Sequence, residues 1–319
     1  MKNFEGPYFD ELSVGDVFDT APALTLSEGK AAVHQSILGS RLRLPLDTHL
    51  SRKVSGTQLA DPSFAWEVAI GQSTLVTRRV VANLFYRGLG FQRWPSIGDT
   101  LQTRTEVVGL RQTSSRPSGL AALRMTTTDQ EDRVVLDFWR CAMLPLSDAS
   151  VVTGKADDLS TIGSPANFAP LLEQVSGWDL APHPASQPLS VGDSWELEAG
   201  DVVSNAPEIA RLSLNLAHLH HDEYAQGSRL VYGGHTIGVA SAQLTRTLPN
   251  LITVAGWHSC DHTGPVRESD TLVSHIEIED ISTSAPGVQS VSVRVKVFAK
   301  RKDAPNDQVL DWRLVALTR

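Results

Sequence analysis

Cysteine is nearly absent from this chain, with two residues, Cys141 and Cys260, in 319. They lie far apart and in no metal-type or redox-type spacing, which excludes a disulfide framework and fits a reducing compartment. Long apolar runs are missing too. No stretch of about 18 apolar residues occurs, and the opening MKNFEGPYFDEL has no apolar core of a secretion signal. Positive charge is in deficit: 28 Lys and Arg face 36 Asp and Glu, a net charge of −8. Nucleic acid and anionic membranes call for a clustered basic surface, so neither is an expected main partner. The expectation is a soluble cytoplasmic protein, and its 41% apolar content can fill a sizeable core.

What is present is a repeat. Leu12-Ser13-Val14-Gly15-Asp16 recurs letter for letter as Leu189-Ser190-Val191-Gly192-Asp193. Asp99-Thr100-Leu101 returns as Asp270-Thr271-Leu272, and Val135-Leu136-Asp137-Phe138 as Val309-Leu310-Asp311-Trp312. The offsets are 177, 171 and 174 residues, in the same order along the chain, which marks a duplication. Each copy reads as a Gly-Asp turn into a first strand, a polar segment, one apolar helix and a series of long strands. Asp61 is a good N-cap with Pro62 at the first helical position, opening the helix FAWEVAIGQSTL. Its counterpart begins near His235 and is stopped by Pro249.

Strand signals follow each helix. Val291, Val293, Val295 and Val297 alternate with Ser292, Arg294 and Lys296, the period-2 pattern of an antiparallel strand with one buried face. Stretches 103–110, 120–126 and 134–144 read similarly. The expected class is α+β, one helix wrapped by a curved antiparallel sheet, made twice. The expected units are 1–147 and 181–319, joined by a linker over 148–180, within a weakly periodic Ser, Pro, Asp and Ala-rich stretch at 146–188.

Chemistry concentrates in 212–241, which holds Asn215, four histidines (His218, His220, His221, His235) and the pair Gly233-Gly234. A second cluster, GWHSCDHTGP at 256–265, is expected near a pocket rim.

The stretches ILGSR (37–41), VVANLFY (80–86), SIGDTL (96–101), VLDFWR (135–140) and above all RLVYGGH (229–235) make the chain resemble the MaoC-like (hydratase-2) acyl dehydratases, specifically their mesaconyl-CoA hydratase (β-methylmalyl-CoA dehydratase) subgroup. The likeness spans nearly the whole chain. It implies a double hotdog, with CoA thioesters entering at the seam between two hotdogs. The family signature places an Asp, an Asn-Pro pair and a His five residues after the Asp. Here Asn215 stands in the Asp place, Ala217 and His218 replace Asn-Pro, His220 is the His, and Ala240-Ser241 supplies the downstream pair. Asn at the Asp place is common in the mesaconyl type.

The resemblance implies a hydratase or dehydratase acting on a 2-enoyl or 3-hydroxyacyl thioester, short branched or dicarboxylic acyl-CoAs among the candidates. Such a reaction needs a polarised carbonyl, a water held at C3 and a proton for C2. Asn215 and His220 are the implied catalytic pair. The backbone at Gly234 and His235, at a helix start, is the expected oxyanion hole. Tyr232, Gly233, Ser241, Trp257 and His258 are the expected substrate contacts. Arg229, Arg246 and Arg267 are candidates for CoA phosphates. His218 and His221 read as packing or solvent-facing. In the first copy Leu44 and His49 fall near the Asn215 and His220 places, so one working site is expected. No cofactor beyond the CoA thioester substrate is implied, and a homodimer is the assembly to test for.

Three alternatives stay open. A metal site is suggested by seven of ten histidines falling between His218 and His275, without a standard ligand spacing. A hotdog thioesterase shares the fold but usually wants a carboxylate. A non-catalytic acyl-CoA-binding protein would bind without turnover. A serine hydrolase is disfavoured because no GxSxG elbow occurs.

Overall fold

The computed structural model describes residues 5–225, 227–302 and 305–319. Residues 1–4, where the leader reading begins, lie outside them. The first half contains β1 (Val17–Phe18), β2 (Leu24–Thr25), α1 (Glu28–Leu38), α2 (Arg43–Leu46), α3 (Thr48–Ser55), α4 (Pro62–Gln72), β3 (Ala82–Phe91), β4 (Thr100–Gln112), β5 (Ser118–Thr128) and β6 (Val134–Pro145). After α5 (Ala169–Ser176) the second half runs through β7 (Ser194–Glu196), β8 (Asp201–Val202), α6 (Ala206–Leu212), α7 (Gly233–Thr247), β9 (Leu251–His262), β10 (Thr271–Ala285), β11 (Val288–Lys300) and β12 (Asp307–Thr318).

These strands form one antiparallel sheet in the order β1-β4-β5-β6-β3-β9-β12-β11-β10-β7, with β2 on β4 and β8 on β10. The halves meet where β3 pairs β9, Tyr86 opposite Cys260 and Leu89 opposite Trp257. Each half wraps one helix, α4 or α7. All eleven residues of α4 are buried, so it is apolar all round, as a helix enclosed by sheet must be. Its start is the expected one, with the Asp61 side chain accepting from the Ser63 N–H.

The duplication holds at the level of single hydrogen bonds. Gly15 donates to the Val107 carbonyl at 2.8 Å and Gly192 to that of Ile278 at 2.9 Å, both glycines near φ +90°. Asp99 accepts from the Ser96 N–H and Asp270 from the Arg267 N–H. Asp137 holds Arg124 as Asp311 holds Arg294. Gln72, the last residue of α4, and Gln243, one turn before the end of α7, donate to the carbonyls of Leu101 and Leu272. A side chain that closes the same backbone gap in both copies is one the fold itself requires.

Two features depart from the sequence reading. The polar segment of each copy is helical: α1, α2 and α3 in the first, α6 in the second. Ser27 caps α1, which buries only His34 and Leu38 and so lacks the apolar stripe that announces a helix. The linker is no loose tether. It crosses the sheet face opposite the helices, Leu159 packing near Gly109, and the backbone of Ser164 and Asn167 lying against Gly88 and Gly90.

The central helices approach closely. A Cβ on Gly238 of α7 would lie 2.8 Å from Glu67 Oε1 of α4. There Glu67, fully buried, faces His34 of α1 at 3.2 Å. A Cβ on Gly71 of α4 would lie 1.8 Å from the backbone oxygen of Ser213. Because that obstacle is backbone, Gly71→Ala forces α4 and the 213–217 loop apart. We expect a loss of about 3 kcal/mol, read from the urea midpoint; an unchanged midpoint would show that the loop yields freely.

Candidate active site

A cavity of about 360 Å³ opens at the seam between the halves. The first half supplies Ile70 of α4 and Thr74 of the 3-10 turn after it, β3 from Ala82 to Tyr86, and Arg140 of β6. The second supplies Asn215, His220, Tyr232, Gly233 and Thr236, then His262 to Arg267 at the end of β9 and beyond. This is the seam location that the resemblance implies.

Asn215 is held by a strained turn. Leu214 adopts φ +62°, a left-handed value costly for leucine, and the Asn215 N–H returns to the Ala210 carbonyl at 2.9 Å. Asn215 Oδ1 accepts from the Ala217 N–H at 2.9 Å, and the next N–H, of Leu216, donates to Thr74 of the first half at 2.8 Å. One lone pair of the amide oxygen is thus spent on the chain's own turn, leaving the NH₂ group as the side chain's free donor.

His220 follows on a short 3-10 turn, His218–His220. Its Nδ1 lies 2.9 Å from the Leu230 carbonyl oxygen. A carbonyl only accepts, so Nδ1 carries the proton and Nε2 presents its lone pair. Burial, with the nearby charges of His221, Arg140 and His262, pushes its pKa down to about 4, against the Leu230 bond that raises it. At neutral pH His220 is an uncharged base. The flanking histidines do structural work: His218 pairs with Glu5 at 2.6 Å, and His221 Nε2 lies 2.7 Å from the Asn215 carbonyl.

At the start of α7 the sequence reading shifts by one or two residues. The His235 N–H is already used, donating to the Tyr232 carbonyl at 3.0 Å. Gly233 and Thr236 line the cavity, whereas Gly234 and His235 do not. Helical spacing explains this: positions i and i+3 share one face, and the next two turn toward the interior. Gly234 packs against the Tyr232 ring. His235 is buried, its Nδ1 without a partner among the described residues, and burial lowers its pKa to about 4.

Of the other expected contacts, Tyr232 and Gly233 line the cavity, the Tyr232 hydroxyl donating to the Glu67 carbonyl at 2.9 Å. Ser241 is buried inside α7, away from it. Trp257 is a core residue, edge-on to Trp66 at 5.0 Å and to Trp312 at 5.6 Å. His258 points to the other face, against Phe168. The residue of this cluster that does reach the cavity is His262. The register of β9 with β12 slips between Trp257 and Ser259, so that Trp257, Cys260 and His262 share the inner face; such a bulge is invisible to a period-2 reading. Although part of His262 is exposed, its Nε2 is buried and unpartnered among the described residues. Burial holds its pKa down at about 4. A Cβ on Gly233 would lie 2.8 Å from that nitrogen.

Sequence reasoning also passed over Arg140, a fully enclosed guanidinium. Of the three arginines considered for phosphate, Arg267 alone stands at the cavity, exposed at its rim; Arg229 is paired with Glu268 and Arg246 with Asp201. His49 is exposed on α3, so the first copy assembles no matching pair. Among the described residues no three His, Cys, Asp or Glu converge as a metal site.

No family model matches the chain. It is 27% identical over 322 residues to the β-methylmalyl-CoA dehydratase of Chloroflexus aurantiacus, covering 95% of this chain and 90% of that protein. It is 26% identical over 309 residues to the mesaconyl-CoA hydratase of Cereibacter sphaeroides, covering 92% and 90%. Among solved structures, Rv0216 of Mycobacterium tuberculosis, described as a conserved hypothetical protein with a double hotdog fold, matches at 50% identity and TM-score 0.90 over all of both chains. A putative MaoC domain protein dehydratase from Chloroflexus aurantiacus shares the fold at TM-score 0.86 and 24% identity, over 100% of this chain and 99% of that one. Duplicated hotdogs, a seam cavity and half the residues identical to a solved double hotdog over the full length lead to one assignment: the chain belongs to the MaoC-like double-hotdog acyl-CoA dehydratase family.

Proposed function

We propose that the protein is an acyl-CoA hydratase/dehydratase, adding water to a 2-enoyl thioester or removing it from the 3-hydroxyacyl form. The observation that carries this is His220. Its proton is fixed on Nδ1 by Leu230, and its basic Nε2 sits in a cavity beside the N-terminus of α7. The first-turn N–H groups of a helix have no intrahelical partner and carry the positive dipole end, so Gly233 is placed to hold the thioester oxygen as enolate character develops. His220 Nε2 takes a proton from water, the hydroxyl oxygen bonds to C3, the C2–C3 π electrons shift toward the carbonyl, and His220 returns the proton to C2. Asn215 orients water or thioester through its NH₂.

A hotdog thioesterase would need a carboxylate to activate water, and no Asp or Glu is among the described residues lining the cavity. The test is loss of the conjugated enoyl thioester's ultraviolet absorbance on mixing with the protein. Binding with no absorbance change, across short straight, branched and carboxylate-ended enoyl-CoAs, would leave a binding protein instead.

Asn215→Asp keeps an oxygen for the Ala217 N–H and places a negative charge near His220. We expect kcat/KM within about tenfold of wild type, with the acid limb of its pH profile moved to higher pH because an anion favours protonated imidazole. A loss beyond a hundredfold would instead make the amide N–H indispensable.

A further inference from the structure

Strand β9 ends on His262 as β3 ends on Phe91, and the offset of 171 that carries Asp99 to Asp270 also carries Phe91 to His262. Strand pairing agrees. Phe91 lies opposite Leu136 and His262 opposite Leu310, and these two leucines are themselves a repeated pair. The duplicated unit therefore needs a flat ring at this place, and the first copy fills it with Phe91, 1% exposed. The copy whose strand end reaches the cavity puts nitrogen in that ring. A buried nitrogen without a partner costs stability, so packing does not explain it.

The nitrogen is aimed. A Cβ on Gly233 would meet His262 Nε2 at 2.8 Å and Cε1 at 2.9 Å, so this edge of the ring lies against the first residue of α7, where glycine leaves it room. In the first copy Pro62 stands at the place of Gly233. The Tyr86 ring packs edge-on to His262, with centroids 5.8 Å apart, and so sets its tilt. Nε2 takes part in no hydrogen bond among the described residues, the Gly233 N–H included. Burial keeps the imidazole uncharged at neutral pH. An uncharged ring has one proton for two nitrogens, and a bound acceptor decides which of them carries it.

We propose that His262 is a catalytic donor, its Nε2–H and the Gly233 N–H forming a two-donor oxyanion hole for the thioester oxygen. This rests on the hydratase reading, which places that oxygen at Gly233. As the hydroxyl oxygen bonds to C3, the C2–C3 π electrons move into the C1–C2 bond and the carbonyl π pair moves onto oxygen, where both donors hold the charge. The carbonyl re-forms when His220 returns the proton to C2, and the His262 proton stays on Nε2 throughout. His262 is near enough to lower the His220 pKa, so both rings reach one short acyl segment. His220 offers it a lone pair and His262 an N–H.

Isotope-edited infrared spectra of butyryl-CoA labelled at its thioester carbonyl read the hole directly, because this saturated thioester cannot be hydrated. At saturation, wild type is expected to lower the carbonyl stretch relative to free butyryl-CoA. His262→Phe, which installs the ring of the first copy, should lose a large part of that shift. On the best enoyl-CoA the same variant should lose about 100-fold in kcat, the scale of one oxyanion donor, with KM within about threefold. His262→Gln, whose amide N–H reaches a similar point, should recover about tenfold of the loss. Thermal unfolding of His262→Phe at or above the wild-type temperature would match a ring that the first copy already packs. An equal carbonyl shift in wild type and His262→Phe, a kcat for that variant within about threefold of wild type, or His262→Gln no faster than His262→Phe would each overturn the donor and leave the hydratase reading standing. A His262-dependent shift in a protein that hydrates no enoyl-CoA would sustain the donor and sink the hydratase reading alone.

Discussion

Replacing His220 by alanine is expected to lower kcat/KM for the best enoyl-CoA by about a thousandfold, the scale of a lost general base. The geometry is the reason. Leu230 fixes the tautomer, and burial keeps the ring neutral down to about pH 4. For the same reason the wild-type profile should be flat from pH 5 to pH 8, as roughly follows for a base already unprotonated there. His218→Ala, which removes only a surface contact with Glu5, serves as the control and should stay within about threefold. If His220→Ala keeps a tenth or more of wild-type turnover, the base is elsewhere, and His262 becomes the group to examine.

The second large effect concerns stability in mild acid. His220, His235 and His262 each have a folded pKa near 4, burial being the first cause in all three. In the unfolded chain each titrates near about 6.5. Between those values the unfolded state binds more protons than the folded one. Stability is therefore fully present above pH 6.5 and lost as pH falls toward 4, at up to about 1.4 kcal/mol per pH unit for each histidine. His34 runs the other way. Burial disfavours its charge, but the Glu67 carboxylate beside it outweighs that and raises its pKa. Its stabilisation is fully present below about 6.5 and is lost only as pH rises through the raised pKa, so it adds no slope between about 6.5 and 4.5. Urea unfolding at a series of pH values should show a steep decline from 6.5 to 4.5. His235→Phe, taking the residue found at Phe64 in the first copy, should make that decline shallower by about one proton. A wild-type curve flat through this range would mean that these imidazoles are open to water.

The structure reaches both predictions through features of unequal legibility. The duplication, the Asp61 cap and the alternating valines of β11 could be read along the chain, because each depends on neighbours a few residues away or on a copy of itself; the pair Asn215 and His220 was pointed to by the family resemblance. The cavity's other members depend on distant partners. Trp257 and His258 looked like ligands and His262 did not, until a one-residue slip between β9 and β12 set which of them faced inward. Gly233 displaced Gly234 and His235 because of how α7 turns against Tyr232 and α4.

Arg140 shows the division most clearly. Read along β6 it is a charge within a strand, of the kind that usually finds solvent or a carboxylate. By itself the sequence determined the repeat and the fold class, since periodicity, caps and duplicated turns are local constraints, and it pointed to the stretch that lines the seam cavity. The tertiary structure alone decided which nitrogen of His220 is free, that His262 joins it, and that Arg140 lies buried with no carboxylate partner among the described residues. Those facts depend on what packs against each group from elsewhere in the chain, and burial sets both the cost of a charge and its use.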